Sequence, residues 1–286
     1  MPFSSELKSE LSKIKAHGCC AFSEIYGIFL LSSNFNNDNK FFSTDRADLA
    51  DRVSSLLSAV YGNKFKRLYE KGRYCFYSDI ITVGNIFVDV TSPQYLTDPF
   101  SCENCFPSFL RGAYLSSGTA SDPQKDFHIE VKSTDETVAV SIEAILNASG
   151  LTAHLSKRGK YFVVYSKGSE NVSDFLTLIG AQKSALKVID SALEREMRNK
   201  INRIHNCDIA NMDKTINASV RQVAAIKKLK ETGRLDNLSE ELKTAAEARM
   251  NNPDMPLSQL SSICGISRSG LNHRLKRLVE ISMEKR

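Results

Sequence analysis

The chain repeats itself, and that duplication restricts its fold more than any other feature. Ile25 and Gly27 in CAFSEIYGIF recur 85 residues later as Leu110 and Gly112 in CFPSFLRGAY, and Cys20 recurs as Cys105 at the same spacing. Downstream, STD occurs at Ser43 and again at Ser133, each time opening an amphipathic segment for which the Ser or Thr is a candidate N-cap. KGRYCFYS from Lys71 recurs as RGKYFVVYS from Arg158, each a strand rich in aromatic and β-branched residues just after a turn glycine. Each copy therefore reads as helix, β-hairpin, helix, second hairpin and closing helix. In the second copy these fall near 107–117, 119–132, 134–148, 151–166 and 170–180, and the two halves span about 20–95 and 105–190. Gly27 and Gly112 sit mid-helix, where glycine costs about 1 kcal/mol relative to alanine. Two helices packed backbone to backbone across a pseudo-twofold axis would offset that cost, because only small residues permit such an approach.

A chain of 286 residues has room for two or three domains and more than one buried core. No apolar run approaches the ~18 residues that cross a bilayer, and the first residues, MPFSSELKSELSKIK, form an amphipathic charged helix without the apolar stretch of a signal peptide. This reading places the chain in the cytoplasm with no membrane partner. Seven cysteines, an odd number in so long a chain, suit a reducing compartment better than a disulfide framework. Charge is unevenly placed: residues 195–286 carry 18 Lys and Arg against 11 Asp and Glu, whereas the rest is slightly acidic. The whole basic excess thus lies in the C-terminal third, which points to nucleic acid as its partner.

That third reads as a helix-turn-helix domain at 215–286 behind an asparagine-rich linker at 196–214. Thr215 is the expected cap of a helix with Ile216, Val220, Val223 and Leu229 on one face, and Gly233 its stop. A helix from about Ser239 to Met250 follows. Pro256 opens another, with Leu257, Leu260 and Ile263 on one face, CGI makes a tight turn, and Ser267 caps a last helix to about Lys285. On that helix Leu271, Leu275 and Leu278 form the inward stripe, which leaves Ser269, Asn272, His273, Lys276 and Arg277 outward. No acid occurs from Met255 to Val279. Asn272 suits adenine and Lys276 guanine, while Arg268, Arg274 and Arg277 suit phosphates.

Duplicated helix-hairpin-helix-hairpin units whose first helices meet at a glycine-bearing seam resemble the LAGLIDADG homing endonucleases. The whole chain resembles the WhiA family of bacterial regulators, through SELKSEL near the start, CCAFSE at Cys19, FLRGAYLSSG at Phe109, RNKINRIHNCDIANMDKT at Arg198 and SRSGLNHRLKRL at Ser267. The resemblance implies an α+β fold, a duplicated LAGLIDADG-like αββαββα domain at 1–195 followed by the all-α helix-turn-helix domain. It further implies a nucleoid-associated transcription regulator of cell division and chromosome segregation, or of sporulation in some lineages.

LAGLIDADG enzymes place one acid from each motif helix on their divalent metals, because hard cations need anionic oxygen ligands. Aligned on that motif, the acid positions hold Ser32 and Ser117, which are neutral. Asp122 and Asp126 follow closely in the second copy, but Asp38 is a poor positional match for them, and they read as loop acids. The expected protein is therefore a non-enzymatic, sequence-specific reader of double-stranded DNA, without catalytic residues or cofactors, with room for a protein partner on its LAGLIDADG-like domain. The alternatives are a metal-dependent homing-type endonuclease, or a scaffold for a protein or ligand that is tethered to DNA. A basic stripe of Lys64, Lys66, Arg67, Lys71, Arg73, Lys157, Arg158 and Lys160 offers a weak secondary DNA contact. Cys19, Cys20, Cys102 and Cys105 precede the two motif helices and would meet near the pseudo-twofold axis; packing is favoured over four-thiolate zinc, since adjacent cysteines are not a usual metal knuckle.

Overall fold

A computed structural model describes residues 2–91 and 101–284. The expected ends of the first repeat, at 95, and of the last helix, at Lys285, lie outside the described residues. Contacts divide the chain into two compact units, Met1–Arg195 and Glu196–Arg286.

The first unit opens with α1 (Phe3–Leu11) and then runs through two copies of one motif. The first copy contains α2 (Gly18–Leu30), β1 (Lys40–Thr44), α3 (Ala47–Tyr61), β2 (Phe65–Glu70), β3 (Arg73–Ser78) and α4 (Ile80–Thr91). The second contains α5 (Cys105–Ser117), β4 (Thr119–Ala120), β5 (His128–Ser133), α6 (Glu136–Ala148), β6 (His154–Arg158), β7 (Tyr161–Lys167) and α7 (Ser169–Leu178). The strand orders β1-β3-β2 and β4-β5-β7-β6 are the same antiparallel order. In the first sheet the place of β4 is taken by a single bridge from Phe35 to Phe42. The duplication is thus one of topology as well as of sequence.

Alternation along each strand sends one set of side chains to the helices. Phe42 and Phe76 from the first sheet, and Ile129, Val131 and Val164 from the second, join α2, α3, α5 and α6 in one buried core. The caps differ from the expected Ser or Thr. Asp135 caps α6 by accepting from the amides of Thr137 and Val138 at 2.8 and 3.2 Å, and α3 begins after Arg46 with no side-chain cap. In each STD the serine or threonine instead orders the turn before the helix, Ser133 Oγ accepting from Asp135 N at 3.0 Å and Thr44 Oγ1 from Arg46 N at 3.2 Å.

The seam between α2 and α5 is as tight as the two glycines suggested. A Cβ on Gly27 would overlap the Phe109 carbonyl oxygen, and one on Gly112 would overlap that of Glu24, so each glycine lies under a carbonyl of the opposite helix. Beside this crossing the Glu24 carboxylate, fully buried, takes Nε and Nη2 of Arg52 at 2.6 and 2.5 Å and Nε of Arg111 at 2.9 Å. Arg111 also donates to the Ile179 carbonyl at 3.2 Å and to Ser108 Oγ at 3.1 Å. One buried acid therefore ties α2 to α3 and α5. A buried charge is tolerated only with such partners.

The second unit departs from expectation at its start. The asparagine-rich stretch is helix: α8 (Gln182–Glu231) is a single run of 50 residues, and Thr215 lies inside it, its Oγ1 donating to the Asn211 carbonyl at 2.9 Å. A side chain that back-bonds to its own helix does not need to cap a new one. The buried face of its last turns also differs: Ile216 and Val220 are exposed, whereas Ser219, Gln222, Ala225, Ile226 and Leu229 are buried. Gly233 closes the helix with a φ of 65°. Next come α9 (Glu240–Asn251), α10 (Leu257–Ile263) and α11 (Arg268–Met283).

Alanine at Gly112 would drive a methyl group into the Glu24 carbonyl, and forced overpacking costs about 1–3 kcal/mol. Gly112→Ala should lower the unfolding free energy of the full chain by that amount, read in urea as a lower midpoint at unchanged slope; an unchanged midpoint would disprove the close crossing.

Candidate nucleic-acid interface

The last two helices form a helix-turn-helix. α10 ends at Cys264, the turn passes through Gly265 with a φ of 64°, and Ser267 Oγ caps α11 by accepting from Gly270 N at 3.1 Å. The left-handed residue at this turn is a glycine, which has no Cβ to penalise that conformation. Leu271, Leu275 and Leu278 are completely buried against Leu260, Ala245, Ala246, Ile226 and Leu229. Ile263, expected on the inner face of α10, is instead exposed. Arg249, almost fully buried, reaches from α9 to the carbonyls of Asn252, Pro253 and Met255, the last at 2.7 Å, and so fixes the loop that leads into α10. Ser219 on α8 donates to the same Pro253 carbonyl. Sequence reading missed both roles; an arginine two residues before NNP was the available signal.

On the outer side of α11, Arg268, Ser269, His273, Lys276 and Arg277 are exposed, and Asn272 and Arg274 are half-buried. The two arginines at 274 and 277 do not stand free. Arg274 Nη2 lies 3.0 Å from Glu241 of α9, and Arg277 Nη1 lies 3.2 Å from Glu280 and 3.6 Å from Glu284. The acid-free window from Met255 to Val279 therefore does not isolate these cations, since acids arrive from α9 and from the next turns of α11. Arg268, Ser269, Asn272, His273 and Lys276 together make the polar ridge at the N-terminal half of the helix, the part that a reading helix turns toward base edges.

In the first unit the outer face of the second sheet carries His128, Glu130 and Lys132 from β5, Tyr165 and Lys167 from β7, and His154 and Arg158 from β6, in register across the strands. Glu130 sits at its centre and accepts from Thr119 Oγ1 at 3.0 Å, Arg158 Nη1 at 2.8 Å and Lys132 Nζ at 3.0 Å, with His128 Nε2 at 3.2 Å. Burial opposes ionisation of Glu130, but the hydrogen bonds from His128, Lys132 and Thr119 outweigh it and hold the carboxyl at about 2. Elsewhere in the expected stripe Arg67 pairs with Asp51 at 2.7 Å and Arg73 donates to Ser43. Lys64, Lys66, Lys71, Lys157 and Lys160 are exposed. Much of the guanidinium charge of these sheets is thus already neutralised within the protein.

At the C-terminal ends of the seam helices stand the two serines. Ser117 Oγ donates to the Ala113 carbonyl at 3.3 Å and accepts from Lys132 N at 3.1 Å; Ser32 Oγ accepts from Asn34 N at 3.1 Å. Both hydroxyls are engaged with backbone groups. Asp122 and Asp126 shape the loop before β5 by accepting from the amides of Gln124 and Phe127 at 3.0 and 2.8 Å. At the N-terminal ends the four cysteines do meet. Their sulfurs all lie within 4.8 Å of one another, and they are the only group of three or more His, Cys, Asp or Glu side chains so placed among the described residues. Cys102 is the hub: its thiol falls to about 7 through hydrogen bonds from Cys105 and the Asn104 amide, with Cys20 and Cys19 adding to it. Cys20 is pushed up to about 12 by burial and by its bond to Cys102.

Because Glu130 is depressed in the folded chain, its stabilisation is fully present above the ordinary value of 4.5 and is lost as pH falls toward about 2. Glu130→Gln should flatten the fall in thermal midpoint across that window while wild type loses stability; parallel curves would refute the pairing.

Two family models match: the WhiA LAGLIDADG-like domain over residues 106–198 and the WhiA C-terminal HTH domain over residues 201–282. The "Probable cell division protein WhiA" of Ruminiclostridium cellulolyticum is 33% identical, over 99% of this chain and 97% of its own length. The protein of the same name from Macrococcus caseolyticus is 32% identical over 99% and 96%. The crystal structure of full-length DUF199/WhiA from Thermatoga maritima has the same fold, with a TM-score of 0.61 at 24% identity, covering 99% of this chain and 98% of that one. With a LAGLIDADG-like unit, a helix-turn-helix and relatives alike from end to end, this chain belongs to the WhiA family.

Proposed function

We propose that this chain is a non-enzymatic, sequence-reading DNA-binding protein that regulates transcription, and that its targets include genes of cell division and chromosome segregation. The observation that carries the reading is α11 itself: Leu271, Leu275 and Leu278 lock it into the helix-turn-helix core, and Arg268, Ser269, Asn272, His273 and Lys276 are left on its other side. An amide such as Asn272 can satisfy both the N6 donor and N7 acceptor of adenine, and an ammonium such as Lys276 the O6 and N7 acceptors of guanine. Arg268, at the first turn, reaches phosphate, as do Arg274 and Arg277 when they exchange their carboxylate partners for the DNA backbone. The relatives' shared name, probable cell division protein, supports the cellular role.

The LAGLIDADG-like unit serves as scaffold in this reading. Serine at 32 and 117 supplies no anionic ligand for a divalent cation, and both hydroxyls are engaged with backbone groups. The family's fold alone would not decide the matter, since function resides in the site.

Asn272→Ala and Lys276→Ala should each weaken binding to a cognate duplex by about 1–3 kcal/mol and relax base preference at one position. Gel-shift titration of both variants on cognate and scrambled duplexes checks this; undiminished, equally selective binding by both would reject α11 as the reader. Supercoiled and linear target DNA incubated with the protein and Mg²⁺ or Mn²⁺ should remain intact. Cleavage abolished by Asp122→Asn or Asp126→Asn would restore the enzyme reading.

A further inference from the structure

We infer that Cys19, Cys20, Cys102 and Cys105 bind one Zn²⁺ ion as a tetrathiolate site that staples together the N-terminal ends of the two seam helices. The geometry is the first support. A tetrahedral ion with Zn–S bonds of about 2.3 Å separates its sulfurs by roughly 3.8 Å. The Cys102 sulfur lies 3.7 Å from that of Cys19, 3.5 Å from Cys20 and 3.4 Å from Cys105. These separations are too long for a disulfide, whose sulfurs stand about 2.05 Å apart. They are also too short for a polynuclear iron–sulfur cluster, whose cysteines attach to different irons.

Burial is the second. Packing as small hydrophobes fits Cys105, which is buried, but not Cys19, which is exposed, nor Cys20 and Cys102, which are half-exposed. Four thiols drawn from two distant parts of the chain onto one partly open point do little for a core; they complete the ligand set that selects zinc.

Charge is the third. Four thiolates on a divalent cation leave a net charge of −2, and four protons depart as the Zn–S bonds form. α2 begins at Gly18 and α5 at Cys105, so two helix N-termini, each with partial positive charge, converge on the cluster. Neither helix has an acid in its first turn or a side-chain cap, so neither end is otherwise compensated. The turn from Cys102 to Cys105 is closed by a backbone hydrogen bond of 3.0 Å, which presents both sulfurs to one side. Adjacent cysteines are an uncommon knuckle in sequence, yet at the first turn of α2 both reach the sulfur of Cys102.

The test is metal content and spectroscopy of the full chain, purified under reducing conditions without a chelating tag. Wild type should carry about one equivalent of zinc by mass spectrometry. After exchange it should bind Co²⁺ with the strong visible bands of a tetrahedral site and the charge-transfer intensity of four thiolates. Cys102→Ser with Cys105→Ser should abolish both, while Cys207→Ser should alter neither. A wild-type chain that takes up no zinc on dialysis, that carries iron instead, or whose cobalt spectrum shows two thiolates or fewer would overturn the proposal, whether or not the double variant folds.

Discussion

Everything in the first unit is arranged around the contact between two backbones. Gly27 lies under a carbonyl of α5 and Gly112 under a carbonyl of α2, and no side chain fits between them. Apolar side chains beside the crossing, Tyr26 and Ile28 of α2 and Phe109 and Ala113 of α5, are buried in one core and hold the two helices together. Glu24 does so from within, taking guanidinium groups of Arg52 and Arg111 in full burial, and Arg111 extends the link to the end of α7. Removing one partner of such a cluster would leave an uncompensated charge in the core.

The two ends of the seam have opposite electrostatics. At the N-terminal ends of α2 and α5 the helix dipoles favour anions, and there the chain gathers the four cysteines inferred above to hold zinc. At the C-terminal ends the carbonyls favour cations, so a pair of acids there needs a cation or a shared proton. Serine at 32 and 117 removes that requirement: a neutral hydroxyl bonds to its own backbone and needs no ion.

Charge in the second unit carries a related lesson. A stretch of α10 and α11 without acids reads as a free cationic face, but Arg274 and Arg277 already have carboxylate partners, and Glu130 likewise holds Arg158 and Lys132 in the first unit. The exposed pairs of Arg274 and Arg277 are weak and exchangeable. They shield a basic surface until phosphate competes for it, which favours partners with dense charge.

The duplication, the two mid-helix glycines and the leucine stripe of α11 were legible in the sequence, because each is a local period or a repeat spacing that survives without knowledge of neighbours. The same is true of serine at the acid positions. Three things were not legible. The asparagine-rich stretch continues as helix, since polarity alone does not break a helix that lacks proline or glycine. The phase of the α8 stripe was off because Ser219 turns inward to the Pro253 carbonyl, which Arg249 also holds, while Ile216 and Val220 turn outward. The cap of α6 is Asp135 rather than the Ser or Thr just before it. The sequence by itself determined which segments repeat, which helix faces are apolar and that no carboxylate stands at the motif ends. Only the tertiary structure decided which charges meet and which face of α8 is buried, because those depend on contacts between residues from 28 to 87 apart in the chain.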